Sequence, residues 1–284
     1  MRLEEKLKKI GPPDRKAMAL AEARWRSVAK PLHSLGVLEK DIVKIAGMTG
    51  DPKVSLEKKA LVIMCADNGI VEEGVTQTGQ EVTAVVTENF THGNACSCIM
   101  ADMAGTDVFP VDIGVASPLE NYGNRHPLIR RKIRFGTDDF CRGPAMTREE
   151  AEQAVMAGIA IAEELKEKGY GIIATGEMGI GNTTTSSAVV SVLLDTRPEQ
   201  VTGRGAGLSD KGLAKKVQVI REGIRRNQPD KEDGLDVLSK VGGLDLAGLA
   251  GIYLGGALCH MPVVADGFIS GAAALAARAL CPYA

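Results

Sequence analysis

The sequence runs to 284 residues, with 34 Lys and Arg against 36 Asp and Glu, a formal net charge of −2 and an isoelectric point near 6.1. Charges of both signs are interspersed, so no global field recruits nucleic acid or an anionic membrane; with only 4% aromatic residues, the chain also offers few platforms for stacking bases. What remains is a chain long enough to bury one large core, with a small molecule as its expected ligand.

Met1 to Ile10 is charged and amphipathic and reads as a helical start, stopped by Gly11-Pro-Pro-Asp14, where Asp14 is the expected N-cap of a helix to about Ala29. Leu38 to Ala46 gives a second helix. Residues 1–58 are therefore expected to form a helical N-terminal layer, a small domain beside an α/β core at 59–284. Lys59 to Ala66 is the first buried strand and ends at Asp67-Asn-Gly69. A loop rich in Gly, Thr and Gln then leads through Gln80 into one helix reaching about Ala104. Val108 to Val111 is a second strand, ending at Asp112-Ile-Gly114, and Lys132 to Phe135 is a short third. Thr147-Arg-Glu-Glu150 is a capping box opening a helix to Lys168, which closes on Gly169. Beyond the central strand, Lys211 to Arg226 forms a basic helix and Leu244 to Leu258 a helix of small residues. Met261 to Ala265 is a strand ending at Asp266-Gly267, and Ile269 to Leu280 is the last helix.

Near-continuous apolar strands alternating with helices imply an α/β fold, a parallel sheet covered on both faces with its ligand at the carboxyl ends of the strands. Asp67, Asp112 and Asp266 then gather at one edge, either to meet that ligand or to fix their turns. The six cysteines (65, 96, 98, 141, 259 and 281) lie mostly in apolar surroundings and no secretory signal precedes them, which points to a reduced, cytoplasmic protein. Cys96 and Cys98 would face different directions on a helix, and the four histidines stand apart, so no metal site is expected.

The stretch Gly171 to Leu194 organises the rest. An apolar run enters a loop with Gly176, Gly179 and Gly181, and an apolar-periodic helix follows. Such a loop lets the backbone approach an anion, the helix N-terminus adds unpaired N–H groups, and Thr183, Thr184, Thr185 and Ser186 add hydroxyls. The alternative is a tight turn that binds nothing. Glu177 is the odd residue, because a phosphate repels it; it would serve to grip a ribose hydroxyl or handle a proton. The spacing GxxGxG is neither a Walker A loop nor the dinucleotide fingerprint. A second Gly-rich loop, Gly203-Arg-Gly-Ala-Gly207, precedes the basic helix, whose Lys215 or Lys216, like Arg204, would supply the missing positive charge or simply face solvent.

Several blocks together resemble the nicotinate-nucleotide–dimethylbenzimidazole phosphoribosyltransferase family: Ala66-Asp-Asn-Gly-Ile-Val-Glu-Glu-Gly74, Gln80-Glu-Val-Thr83, Asp112-Ile-Gly-Val115, Gly176-Glu-Met-Gly-Ile-Gly-Asn-Thr-Thr184, Gly203-Arg-Gly-Ala-Gly207, Val241-Gly-Gly243 and Val264-Ala-Asp-Gly-Phe-Ile269. The resemblance runs collinearly from about Lys30 to Leu280. It implies a homodimer with a Rossmann-like parallel sheet and a small helical domain built from the termini. The implied reaction takes nicotinate mononucleotide and 5,6-dimethylbenzimidazole to α-ribazole 5′-phosphate and nicotinate, for the lower ligand of cobalamin. By the same resemblance Glu177 lies at the reacting base and ribose, and Gly176, Gly179, Gly181, Asn182 and Thr183 form the nucleotide pocket. Gly203 and Gly205 of the second loop, with Lys216, face the phosphate, while Gln80 and Asp266 complete the substrate site. No cofactor or metal is expected, because a pyridinium is already a good leaving group.

Two departures qualify the resemblance. The family has Gly-Ser-Leu-Gly after Lys-Pro, whereas His33 precedes Ser34-Leu-Gly36 here. The family's C-terminal Gly-Glu-Gly-Thr-Gly segment, whose glutamate is the general base, has no counterpart before Ala284. If the polypeptide ends at Ala284, the expectation is that Glu177 takes the proton; if it is longer, the segment beyond carries the base. Two alternatives stand beside it: a nucleotide-binding or sensing protein without catalysis, and the same transfer to another aromatic acceptor such as a phenol or a different benzimidazole.

Overall fold

Five strands form one parallel sheet in the computed structural model, which describes residues 1–284. The strands are β1 (Lys59–Ala66), β2 (Thr106–Gly114), β3 (Ile129–Arg130), β4 (Ile172–Met178) and β5 (Val263–Val264), in the order β3-β2-β1-β4-β5. Central β1 shows why its sequence is apolar throughout. Ala60, Val62, Met64 and Ala66 point into the large core, while Ile63 and Cys65 point into a smaller core on the opposite face.

The helices are α1 (Leu3–Leu7), α2 (Arg15–Ser27), α3 (Val37–Thr49), α4 (Glu81–His92), α5 (Cys96–Met103), α6 (Arg148–Glu167), α7 (Asn182–Leu193), α8 (Pro198–Val201), α9 (Asp210–Asn227), α10 (Gly234–Val241), α11 (Leu244–Leu258) and α12 (Phe268–Leu280). The α/β class with a parallel sheet is as the alternation predicted. Asp14 caps α2 by accepting from the backbone N–H groups of Lys16 and Ala17. Thr147 and Glu150 form the reciprocal capping box of α6. Helices α2 and α3 pack on each other, with Gly47 of α3 against Met18. By contrast α1 is tied to the core, through buried Leu3 and a 2.5 Å ion pair from Lys6 to Glu163 of α6. No helix is long and apolar enough to cross a membrane.

Three expectations change. The strand at Lys132 to Phe135 does not form; the edge strand is β3, just before it. Beyond Arg130 the chain folds over the end of β2, held there by Lys132, whose ammonium lies 3.1 Å from Asp112. The helix expected to run unbroken to Ala104 is two helices, because Gly93 at φ 79° ends α4. Helix α10 was not anticipated. It is opened by Asp233, whose carboxylate accepts from the backbone of Leu235 and Asp236.

The small residues of α11 serve the chain itself. A Cβ at Gly251 would stand 2.1 Å from the Val155 carbonyl oxygen of α6, and one at Gly255 would meet Ala162 at 2.6 Å. A partner subunit is therefore not what these glycines make room for. The crossing is close enough that Gly158, on the facing side of α6, has its own prediction. A Cβ there would be 2.0 Å from the Gly248 carbonyl oxygen and 2.8 Å from the Ile252 nitrogen, both backbone atoms that cannot swing aside. Alanine gains at most about 1 kcal/mol in helix preference, whereas overpacking costs about 1–3 kcal/mol. Gly158→Ala should therefore lower stability by about 2 kcal/mol, read as a reduced urea midpoint; an unchanged midpoint would show that the two helices slide apart freely.

Candidate active site

Strand order reverses at β1, which hydrogen-bonds to β2 on one side and to β4 on the other. The crevice at such a switch point, beyond the carboxyl ends of β1 and β4, is where an open parallel sheet binds its ligand. Register sets Met64 of β1 beside Glu177 of β4, so Glu177 and the turn Asp67-Asn68-Gly69 flank the same crevice. The Glu177 carboxylate is half-buried and accepts a hydrogen bond from Nδ2 of Asn182, the first residue of α7. Burial pushes its carboxyl above the ordinary glutamate range; the Asn182 bond opposes that shift and the charge of Asp266 adds to it.

The three glycines of the central loop do different work. Gly176 lies inside β4, where a Cβ would come within 3.2 Å of Ile63, so it is a packing residue of the strand. Gly179 makes a close approach: a Cβ would stand 2.3 Å from the Ala66 carbonyl oxygen and 2.6 Å from Asp245 Oδ2. Gly181 sits at φ 98° as the N-cap of α7, a conformation that only glycine adopts cheaply. Of the hydroxyls after it, Thr184, Thr185 and Ser186 are buried within the fold, leaving half-buried Thr183 as the one that faces the crevice.

Thr183 meets Lys216. That lysine comes from α9, 1% exposed, and its ammonium donates to Thr183 Oγ1 at 2.7 Å and to the Gly203 carbonyl oxygen at 3.3 Å. Both partners are neutral. Burial alone accordingly lowers its pKa to about 8. Gly205, at φ 56°, brings the second Gly-rich loop over this pair: a Cβ there would lie 3.0 Å from Thr183 Oγ1. The other basic candidates are otherwise engaged. Arg204 pairs with Asp210 and donates to the Leu208 carbonyl within its own loop, and Lys215 is exposed.

Gln80 stands half-buried at the N-cap of α4, its Nε2 donating to the Asn68 carbonyl at 3.2 Å, and the next turn anchors the central loop through Thr83, which accepts from Ile180 N at 3.1 Å. The three strand-end aspartates divide. Asp67 accepts from Ala116 N at 2.7 Å and Asp112 from Val115 N at 3.1 Å, so both fix turns, whereas Asp266 is exposed at the mouth. Two residues escaped the sequence reading, Asn68 and Asp245, both 0% exposed. Asn68 was hidden in a turn motif. Asp245 did carry a signal: it is a carboxylate inside an otherwise apolar helix, where an unpaired charge is costly.

Apart from the crevice, Glu73, Asp139 and Cys141 bring one metal-type ligand atom each within 4.8 Å of one another. The Arg142 guanidinium already occupies that neighbourhood, 3.4 Å from Asp139 and 2.8 Å from Glu72.

Comparison with known proteins gives the chemistry its setting. A family model described as phosphoribosyltransferase matches residues 10–284. The nicotinate-nucleotide–dimethylbenzimidazole phosphoribosyltransferase of Acetivibrio thermocellus is 49% identical over 280 residues, covering 99% of this chain and 79% of the relative. The enzyme of the same name from Roseiflexus sp. is 49% identical over 281 residues, covering 99% and 78%. Among solved structures, CobT from Thermus thermophilus superposes with a TM-score of 0.88 at 40% identity, over 94% of this chain and 79% of that one.

Proposed function

The chain belongs to the nicotinate-nucleotide–dimethylbenzimidazole phosphoribosyltransferase family, and from that premise we propose how its crevice moves a phosphoribosyl group from nicotinate mononucleotide to 5,6-dimethylbenzimidazole. The products are α-ribazole 5′-phosphate and nicotinate. One observation carries the assignment of residues: the first two residues of α7 hold opposite ends of the site. Asn182 grips the Glu177 carboxylate, and Thr183 grips the Lys216 ammonium. An acid–base group and a buried cation are thus held by adjacent residues at one helix N-terminus, an arrangement suited to the sugar and phosphate of one mononucleotide.

The chemistry follows. The phosphate of the mononucleotide is taken by Lys216, Thr183 and the loop at Gly203 and Gly205, and the phosphate itself supplies the counter-charge that the lysine lacks. With the phosphate fixed, the ribose C1′ is presented toward Glu177. The unprotonated ring nitrogen of the benzimidazole attacks C1′ while the bond to the pyridinium nitrogen breaks, its electron pair leaving with neutralised nicotinate. Bond making lags behind bond breaking, so positive charge develops on the ribose and a nearby carboxylate stabilises it. Glu177 then accepts the N–H proton of the benzimidazole. Asn182 keeps its carboxylate turned toward the reacting edge, and held geometry supplies much of the acceleration. Gln80 and Asp266 line the base side of the crevice.

Incubation with nicotinate mononucleotide and dimethylbenzimidazole, followed by chromatography for α-ribazole 5′-phosphate and nicotinate in equal amounts, tests the reaction. Release of nicotinate without the nucleotide product would mean hydrolysis instead. Tight binding of the mononucleotide with neither product would mean a sensor. A flat apolar pocket distinguishes acceptors by only about 1–3 kcal/mol per methylene-sized change, so other benzimidazoles should also react, at lower rates.

The same reading extends to assembly. A homodimer is supported by Ile99, Met100 and Met103 on α5, exposed by 53, 60 and 80%, a density of bare apolar side chains that a monomer seldom leaves in water. Light scattering at micromolar concentration should give twice the 29.9 kDa chain mass, and a monomer would refute it. Residence in the cytoplasm is supported by the six cysteines, all free thiols.

A further inference from the structure

Asp245 has no partner equal to its charge. It lies on the first turn of α11, 0% exposed, and every other buried residue of that helix is apolar or glycine. Its Oδ1 accepts from Leu246 N at 2.9 Å, and its Oδ2 has no hydrogen-bond partner. Capping alone does not explain it, since a neutral Asn or Ser caps as well and spares the burial of a charge. The backbone has nevertheless been cleared around it. A Cβ at Gly179 would stand 2.6 Å from Oδ2 and 3.0 Å from Asn68 Nδ2; one at Gly243 would stand 2.5 Å from Oδ1 and 2.3 Å from Asn68 Oδ1. Two glycines, one from the central loop and one leading into α11, thus make room for a carboxylate and an amide beneath the crevice.

We propose that Asp245 is a positioning residue for the transfer reaction, one that fixes the carboxamides of Asn182 and Asn68 from below so that Asn182 presents its Nδ2 to Glu177. This rests on the reading of Glu177 given above. The physical reason lies in the amide. A carboxamide has one donor end and one acceptor end, and its side chain can flip between them. Asn182 already donates from Nδ2 to Glu177, so a flip would set its carbonyl oxygen against that carboxylate, and the nearby Asp245 charge adds to the penalty. The Asn182 and Asn68 amides both lie close enough to favour the ionised form of Asp245, while burial first and the Glu177 charge second push its carboxyl the other way, up to about 7. The charge that costs stability is the one that orients the amide, a trade common at functional sites.

Asp245→Asn tests this, because it keeps the shape and removes the charge. In single-turnover assays it should lower the rate of transfer by ~10–100-fold, the scale on which small misplacements act. Affinity for nicotinate mononucleotide should stay within about twofold, since Lys216 and Thr183 are untouched. The melting temperature should hold or rise, because a buried unpaired charge has gone. A merely structural residue would give the opposite, a lower melting temperature falling together with rate and affinity, and that result would overturn the proposal. So would an unchanged rate. The Glu177 background separates the two readings. If Glu177→Gln turns over at the wild-type rate, the assignment of the base is wrong; if Glu177→Gln is slow and Asp245→Asn slows it further by the same factor as in the wild type, Asp245 does not act through Glu177. The expected outcome is a double variant no slower than Glu177→Gln alone.

Discussion

Glu177→Gln is expected to slow phosphoribosyl transfer about 10²–10⁴-fold in single-turnover measurements, the usual cost of losing a general base. Mononucleotide affinity should change little, because the phosphate is held by Lys216 and Thr183, on the other side of Asn182. The amide of glutamine keeps the volume of the side chain and loses both the negative charge and the capacity to take a proton. pH adds a second signature. The Glu177 carboxyl is raised by burial, and its reactive form is the carboxylate, so the wild-type rate should fall as pH drops through that raised value, above the range where free glutamate titrates. Glu177→Gln should lack this limb. Stability runs in the opposite sense. A carboxyl whose folded pKa is raised contributes stability below its unfolded pKa and loses it as pH rises through the folded one, so the variant should melt no lower than the wild type at neutral pH. Wild-type turnover by Glu177→Gln would remove this carboxylate from the proton's path.

How much of this was legible in the residues depends on what kind of signal each carried. β1 and α11 were bounded correctly because each is an almost wholly apolar run, one stopped by Asp67 and the other opened after Gly243. The edge strand was misplaced because it is two residues long and the polar segment after it is held by an ion pair from Lys132 to Asp112, a contact that local pattern cannot reveal. Glycine spacing pointed to the central loop but not to its division of labour. Gly176 packs on a strand, Gly179 clears space for Asp245, and Gly181 turns the chain into α7; the spacing is alike and the reasons are three. Composition and spacing left Lys216 as one of three basic candidates and the family resemblance picked it out; in the structure burial separates it from Lys215, its neighbour in sequence. Asn68 and Asp245 converge from positions 177 residues apart, so their meeting belongs to topology.

Lys216→Met should weaken the binding of nicotinate mononucleotide by about 2–4 kcal/mol, a ~30- to 1,000-fold rise in Kd, since truncating one partner of a buried charge pair costs about 2–5 kcal/mol or more. Dimethylbenzimidazole, which carries no phosphate, should bind as before. The free protein makes the sign of the pH effect definite. With only neutral partners, the buried ammonium has its pKa lowered from 10.5 to about 8, so the folded state loses stability as pH falls from the ordinary lysine range to about 8, where the unfolded chain takes the proton more readily, and the full penalty is present at neutral pH. Methionine removes that burden, so unliganded Lys216→Met should melt no lower than the wild type at pH 7. A bound phosphate supplies the missing counter-charge and favours the protonated lysine. Wild-type affinity should therefore decline as pH rises past about 8, with up to one proton taken up on binding. Calorimetry between pH 7 and pH 9 in buffers of different ionisation enthalpy reads both the affinity and the proton. Lys216→Met should show neither the decline nor the uptake. A variant that binds the mononucleotide within threefold of the wild type would place the phosphate elsewhere, and the buried ammonium would then need another anion to account for it.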